Sequence, residues 1–178
     1  IDSLCLILKQ NGQFSDYLFF MNERSNMLIK IGQYEKLIDD LNESLTFCSA
    51  QLDSNNIEIL TAIYYLMLAY NHKRNYFRAN EIAKKNLQLA LADKTKWEPI
   101  FAFSDFLAKG VYHEGDKILA WFYWDLAMKT AEDAHQYKAL ANCLRNIGSE
   151  ISTEEPTFAI ELLLSSRKIY DRYNELDD

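Results

Sequence analysis

The chain is poor in the residues that interrupt regular structure. Five glycines and two prolines make up about 4% of 178 residues, against about 12% in an average globular protein. Tight turns that need positive φ are correspondingly few, which excludes an all-β fold of many short hairpins. No run of about 18 apolar residues occurs, so no membrane-spanning helix is expected. Positive charge is in deficit: 19 Lys and Arg stand against 26 Asp and Glu, a net charge of −7. A field of that sign repels a phosphate backbone, so no nucleic-acid contact is expected through this portion itself. There are only three cysteines, Cys5, Cys48 and Cys143, with no C-x-x-C spacing. Each falls in an apolar helical stretch, where a free cysteine behaves as a small hydrophobe. A reduced, cytoplasmic protein is the expectation.

Catalytic signatures are missing as well. The Gly-x-Ser-x-Gly, Gly-x-Gly-x-x-Gly and phosphate-loop patterns are all absent, and no carboxylate pair stands out for acid–base work. Neither an enzyme nor a cofactor is expected. The three histidines, His72, His113 and His135, lack the company of ligands that a metal site needs. His72 and His113 are one repeat apart, but solvated or capping histidines are the default. Asn42-Glu43-Ser44 matches a glycosylation acceptor, yet it falls mid-helix and reads as chance. The chain starts at Ile1 with no basic n-region and no small-residue cleavage site. Ile1 to Leu8 therefore reads as the end of a helix, and the chain as a fragment of a longer protein. The polar end Asn174-Glu175-Leu176-Asp177-Asp178 reads as a frayed terminus.

What is present is helical periodicity. Tyr34, Leu37, Ile38, Leu41, Leu45 and Cys48 line one face of a helix, and Ile57, Leu60, Ile63, Tyr64, Met67 and Tyr70 line another. Trp97, Ile100, Phe101, Phe103, Phe106 and Leu107 begin a helix apolar over much of its girth, as in helices covered on two sides. Boundary residues carry mechanisms. Thr95-Lys96-Trp97-Glu98 has capping-box form with Pro99 in the first turn, and Ser152 to Pro156 repeats the arrangement. Ser54-Asn55-Asn56 supplies caps before Ile57, and Gly32 and Gly115 suit helix ends. Eight main helices follow the N-terminal stub, over 15–31, 34–50, 56–72, 76–92, 96–112, 116–133, 136–149 and 155–174. The linkers are short, which favours antiparallel neighbours in one domain over 1–178.

The chain also resembles itself. Leu37, Ala79, Ala120 and Ala159 open the second helix of successive helix pairs, at separations of 42, 41 and 39. Four and seven residues later come Leu41 and Ser44, Ala83 and Asn86, Trp124 and Ala127, Leu163 and Ser166. Small members of these sets let the two helices of a pair approach. Larger members at the middle position fill the gap to the next pair.

With Gly32-x-Tyr34-x-x-Leu37 and Tyr76-x-x-Ala79 as its best pieces, this pattern resembles the tetratricopeptide family. It departs from that family in its period of about 40 rather than 34, in the first-helix Trp and Leu-Gly missing from most repeats, and in the missing closing proline. The departures resemble the degenerate repeats of peptide-pheromone-sensing regulators of Gram-positive bacteria, the Rgg, Rap and PlcR type. The resemblance implies an all-α, right-handed superhelical array of about four degenerate tetratricopeptide-like hairpins, with first helices lining a concave groove. It implies a regulatory domain that binds a short linear peptide and controls a helix-turn-helix transcription-factor effector lying before Ile1. The alternative is a protein–protein interaction scaffold with a partner protein and no peptide signal. A homodimer is a further expectation, since array ends expose apolar surface.

In the tetratricopeptide register, the groove residues would be Asn22, Asn26, Tyr64, Asn71, Asp105, Lys109, Tyr112, Asn142 and Asn146. A primary amide offers both donor and acceptor, so it can hold a peptide backbone whatever its sequence. Asn22 with Asn26, and Asn142 with Asn146, are i, i+4 pairs that share a helix face. The alternative is that these are ordinary solvated residues or partners of a neighbouring helix. The run Trp121-Phe122-Tyr123-Trp124 cannot all face one side, so part packs inside and part faces outwards. Core packing is its default role and a partner surface the alternative. Lys73, Arg74, Arg78, Lys84 and Lys85 are the main basic concentration, read as a solvated face with partners such as Glu81 to Lys85.

Overall fold

A computed structural model describes residues 2–93 and 95–177, and side chains within 3–173. The described residues are all-helical: α1 Asp2–Gln10, α2 Phe14–Lys30, α3 Tyr34–Cys48, α4 Ile57–His72, α5 Tyr76–Ala90, α6 Trp97–His113, α7 Lys117–Asp133, α8 Tyr137–Ile151 and α9 Pro156–Asp177. These bounds lie close to the predicted ones. The N-terminal stub is helical from Asp2, while Ile1 lies outside the described residues. The backbone of α9 runs on through the predicted frayed end to Asp177; Asp178 and the side chains from Asn174 onwards lie outside the described residues.

One turn is used five times. Gly12, Gly32, Arg74, Gly115 and His135 have φ of 70°, 73°, 62°, 94° and 56°. After each, the next residue's N–H reaches back to the carbonyl five positions earlier. Gln13 donates to Leu8 at 3.0 Å, Gln33 to Leu28 at 3.0 Å, Asn75 to Tyr70 at 2.9 Å, Asp116 to Val111 at 3.0 Å and Gln136 to Ala131 at 2.8 Å. This is the Schellman closure, which satisfies helix carbonyls that have lost their own partners. The donating residue is itself the N-cap of the next helix. Helix stop and helix start are thus fused into three residues, which turns the chain back at once. Gly32 and Gly115 play the role predicted for them. Arg74 and His135 take the same backbone shape with a side chain attached.

The caps before longer linkers differ from expectation in two places. Asn56 caps α4 as predicted, its side chain accepting from Glu58 N at 2.9 Å. Thr95, however, is engaged by Asp93, to which its hydroxyl donates at 2.6 Å, and α6 starts two residues later at Trp97. Ser152 is the C-cap of α8, not the start of α9, and its hydroxyl donates to Ser149 O at 2.9 Å. A capping box needs its Ser or Thr immediately before the first helical residue, and here the linkers are longer than that.

The chain divides into two compact units, Ile1–Pro99 and Ile100–Asp178. In the first, α1 packs on α2, α2 on both α3 and α4, and α4 on α3 and α5. Leu18, Leu37, Leu41, Cys48, Leu60 and Met67 are fully buried there. In the second, α7 packs on α8 and α8 on α9. Its core joins Ala108, Val111 and Tyr112 of α6 to Trp124 of α7, Cys143, Ile147 and Ile151 of α8, and Ala159 of α9. Each such fully buried large aliphatic side chain contributes about 1.5–3 kcal/mol relative to exposure.

The repeat register is visible in burial. Leu37, Ala79, Ala120 and Ala159 are all buried, and so are Ser44, Asn86, Ala127 and Ser166. The polar members of the second set are satisfied. Ser44 Oγ shares a 2.9 Å bond with Tyr17 Oη, Asn86 donates to Ile82 O at 2.7 Å, and Ser166 donates to Ala141 O at 2.7 Å. Gly148 marks the closest helix approach. A Cβ built there would lie 3.0 Å from Ala159 O and 3.0 Å from Leu163 Cγ, so α8 and α9 meet where the side chain is missing.

Candidate functional site

The nine predicted groove residues divide between the two units. Asn22, Asn26, Tyr64 and Asn71 belong to the first, on α2 and α4; Asp105, Lys109, Tyr112, Asn142 and Asn146 belong to the second, on α6 and α8.

In the first unit, Asn22 is buried at the α2–α4 contact. Its Nδ2 donates to Glu58 O at 3.1 Å and to Glu58 Oε2 at 2.9 Å. Its Oδ1 is buried with no hydrogen-bond partner among the described residues. The adjacent Glu23 lies near Tyr65 of α4, whose hydroxyl is raised above its ordinary pKa by burial first and by that carboxylate second. Asn26, Tyr64 and Asn71 are half-buried. The amides of Asn26 and Asn71 form no side-chain hydrogen bond among the described residues.

In the second unit, two contacts set α6 beside α8. Cys143 Sγ lies 3.9 Å from Asp105 Oδ1, and His113 Nε2 lies 3.1 Å from Glu150 Oε2. Eight residues along α6 thus match seven along α8, which makes the two helices parallel neighbours. Lys109 and Asn146 fall between those contacts, at corresponding levels. Lys109 Nζ donates to Asp105 Oδ2 at 2.7 Å, an i, i+4 pair with both side chains largely buried. Asn142 Oδ1 accepts from Tyr170 Oη at 2.6 Å. Asn146 is half-buried and, like Asn26 and Asn71, its amide has no side-chain hydrogen bond among the described residues. Asp105, Lys109, Asn142 and Asn146 therefore form one polar strip across two adjacent helices.

Tyr112 belongs to a different arrangement. Its ring packs in the core against Trp124, with centroids 5.4 Å apart, and its hydroxyl donates to Glu154 Oε2 at 3.1 Å. Lys117 also reaches that carboxylate and passes over the Tyr112 ring. Burial first, and the hydrogen bond to Glu154 second, push the Tyr112 hydroxyl above its ordinary pKa. Lys117 first, then Tyr112, holds the Glu154 carboxyl below its ordinary pKa. This junction ties the start of α7 to the α8–α9 turn. The signal for it in sequence is weak, because Glu154 is one of many surface carboxylates until the turn is placed.

Side chains that could have carried chemistry are otherwise occupied. All three cysteines are free and buried. Burial raises the Cys48 thiol to about 11 and Cys143 higher still, so neither is a thiolate at neutral pH. His72 stacks on Tyr34, with ring centroids 4.8 Å apart and planes 7° from parallel. Among the described residues, no three His, Cys, Asp or Glu side chains group as metal ligands. A recess of about 190 Å³ between α1, α2 and α3 is lined partly by Lys9, Arg24, Asp40 and Glu43. Its cations each face a carboxylate: Lys9 lies 3.0 Å from Glu43, and Arg24 lies 3.2 Å from Asp40.

The aromatic run splits as predicted. Trp124 is fully buried, Trp121 packs on it at 5.2 Å, and Phe122 is 62% exposed. In the basic stretch, Glu81 is taken by Arg78 at 3.3 Å, i, i+3, where a pairing with Lys85 was expected. Lys73 pairs with Glu35 of α3. No helix among the described residues is long and apolar enough to cross a membrane. Comparison with protein-family models and with curated proteins finds no match.

Proposed function

We propose that this chain is a regulatory ligand-sensing domain: tetratricopeptide-like hairpins stacked in a right-handed superhelix, whose first helices bind a short signalling peptide and control a transcription-factor effector. The observation that carries the proposal is the state of three amides. Asn26, Asn71 and Asn146 sit half-buried on α2, α4 and α8, and no side-chain hydrogen bond engages them among the described residues. A half-buried amide with both functions open suits an extended backbone, which presents one donor and one acceptor per residue. The packing of α2 on both α3 and α4 supports stacked hairpins. The Asp105–Lys109 pair beside Asn146 adds a polar strip on which a peptide terminus can be read. Binding would act by population shift, the peptide favouring one curvature or assembly over another.

The test is isothermal titration of the chain against a library of short hydrophobic peptides. The expected result is a saturable hit that Asn71→Ala and Asn146→Ala each weaken about tenfold, equivalent to about 1.4 kcal/mol. A library without hits, or a hit indifferent to all three asparagines, sinks the proposal.

A second reading, an interaction scaffold, is favoured by one observation. Ile118 and Phe122 are 87% and 62% exposed at i, i+4 on α7, outside the first-helix faces. A single stoichiometric partner, recovered from cell extract, lost in Phe122→Ser and unaffected by peptide, would favour it.

A further inference from the structure

The outer face of α9 carries Ile160, Leu163 and Leu164, which are 57%, 38% and 53% exposed. At i, i+3 and i+4 they make one apolar patch. The other side of the helix, with Ala159 and Ser166, is buried against α8. The repeat register makes the patch unusual. Leu163 corresponds to Leu41, Ala83 and Trp124, each 0% exposed. Leu41 lies on α3, on which α4 packs, and Trp124 clusters with Cys143 and Ile147 of α8. In both units the helix that follows closes over this side of a second helix. On α9 nothing among the described residues does so.

We propose that this face pairs with the same face of a second copy of the chain, α9 against α9, antiparallel about Leu164. Charge selects the occupant and its direction. From Glu154 to Leu163 the charged residues are Glu154, Glu155 and Glu161, with no cation. From Ser165 to Tyr173 they are Arg167, Lys168 and Arg172, with Asp171 as the single anion. Asp171 is already held by Arg167 at 3.7 Å. Antiparallel pairing lays the acidic half of one α9 along the basic half of the other, with Glu161 beside Arg167 of the second copy. Parallel pairing would align like with like. The two helix dipoles also oppose each other favourably in the antiparallel arrangement. Such a contact is isologous and closes at two copies.

The test is sedimentation equilibrium of the 178-residue chain without peptide, so that it is read separately from the peptide proposal. The expected species is a dimer. Ile160→Glu with Leu164→Glu should give a monomer whose helical circular dichroism is unchanged, since both positions are exposed. Glu161→Lys alone and Arg167→Glu alone should each weaken the dimer about tenfold, and an equimolar mixture of the two should recover wild-type affinity. A wild-type chain that stays monomeric overturns the proposal and leaves another helix or a foreign partner as the cover. A dimer indifferent to Ile160→Glu and Leu164→Glu also overturns it, and a mixture that fails to recover overturns the antiparallel register.

Discussion

The side-chain amide of Asn22 gives both of its hydrogens to one residue, Glu58: one to the carbonyl oxygen at 3.1 Å, the other to the carboxylate at 2.9 Å. Glu58 is the second residue of α4 and its own N–H is capped by Asn56, so Asn22 ties α2 to the start of α4. Asn22→Asp would set a buried carboxylate against two oxygens that can only accept. It should destabilise the chain by about 3 kcal/mol or more, whereas Asn22→Ala should cost about 1–3 kcal/mol. Urea unfolding monitored by circular dichroism separates the two. Equal, negligible effects would mean that the contact contributes little.

Arg74 and His135 occupy the left-handed position that glycine fills in the three sister turns. A β-carbon there costs about 1–2 kcal/mol, partly offset by the extra freedom glycine brings to the unfolded chain. Arg74→Gly and His135→Gly should therefore each stabilise the chain by about 0.5–1 kcal/mol. A higher Tm in thermal unfolding is the expected readout, with the double variant close to the sum because the two turns are separate.

Gly148 works in the opposite sense. Alanine improves helix propensity by about 1 kcal/mol, but its Cβ would press on the Ala159 carbonyl and on Leu163. Overpacking of this kind costs about 1–3 kcal/mol, and the backbone atom cannot move aside alone. Gly148→Ala should be net destabilising by about 1 kcal/mol, measured by denaturant unfolding, and Gly148→Val more so. Stabilisation would show that α8 and α9 separate easily.

Acid should weaken the α5–α6 linker. Asp93 is lowered from 3.8 to about 2, first by the Thr95 hydroxyl and then by Lys96. Its folded pKa lies below its unfolded one, so its contribution is complete above about 4 and is lost as pH falls towards about 2. Glu35, held down by Lys73, and Glu154, held down by Lys117, act in the same direction. Between pH 4 and 2 the wild-type chain should lose more stability than Asp93→Ala. Parallel acid limbs for the two proteins would refute a role for this carboxylate.

The sequence alone was enough for the helices, most of their ends and the repeat. Helix formation depends on near neighbours, so a 3.6-residue period, Asn56 before Ile57, and glycine at 32 and 115 carry their own meaning. The spacing of Leu37, Ala79, Ala120 and Ala159 is legible for the same reason: close packing of a helix pair demands a particular size at a particular position. Tertiary structure decided what depends on distant residues. Nothing local marks Glu58 as the partner of Asn22, Tyr170 as the partner of Asn142, or Glu154 as the meeting point of Tyr112 and Lys117. Nor does periodicity separate Leu163 from Leu41, since the two share a register and differ only in whether a later helix closes over them. The left-handed turns at Arg74 and His135 were equally hidden, because the hydrogen bonds of the fused helix ends impose that backbone on residues whose own preference is against it. Burial is a property of the neighbours a residue is given, and those neighbours are set by packing between helices rather than by the order of residues within one.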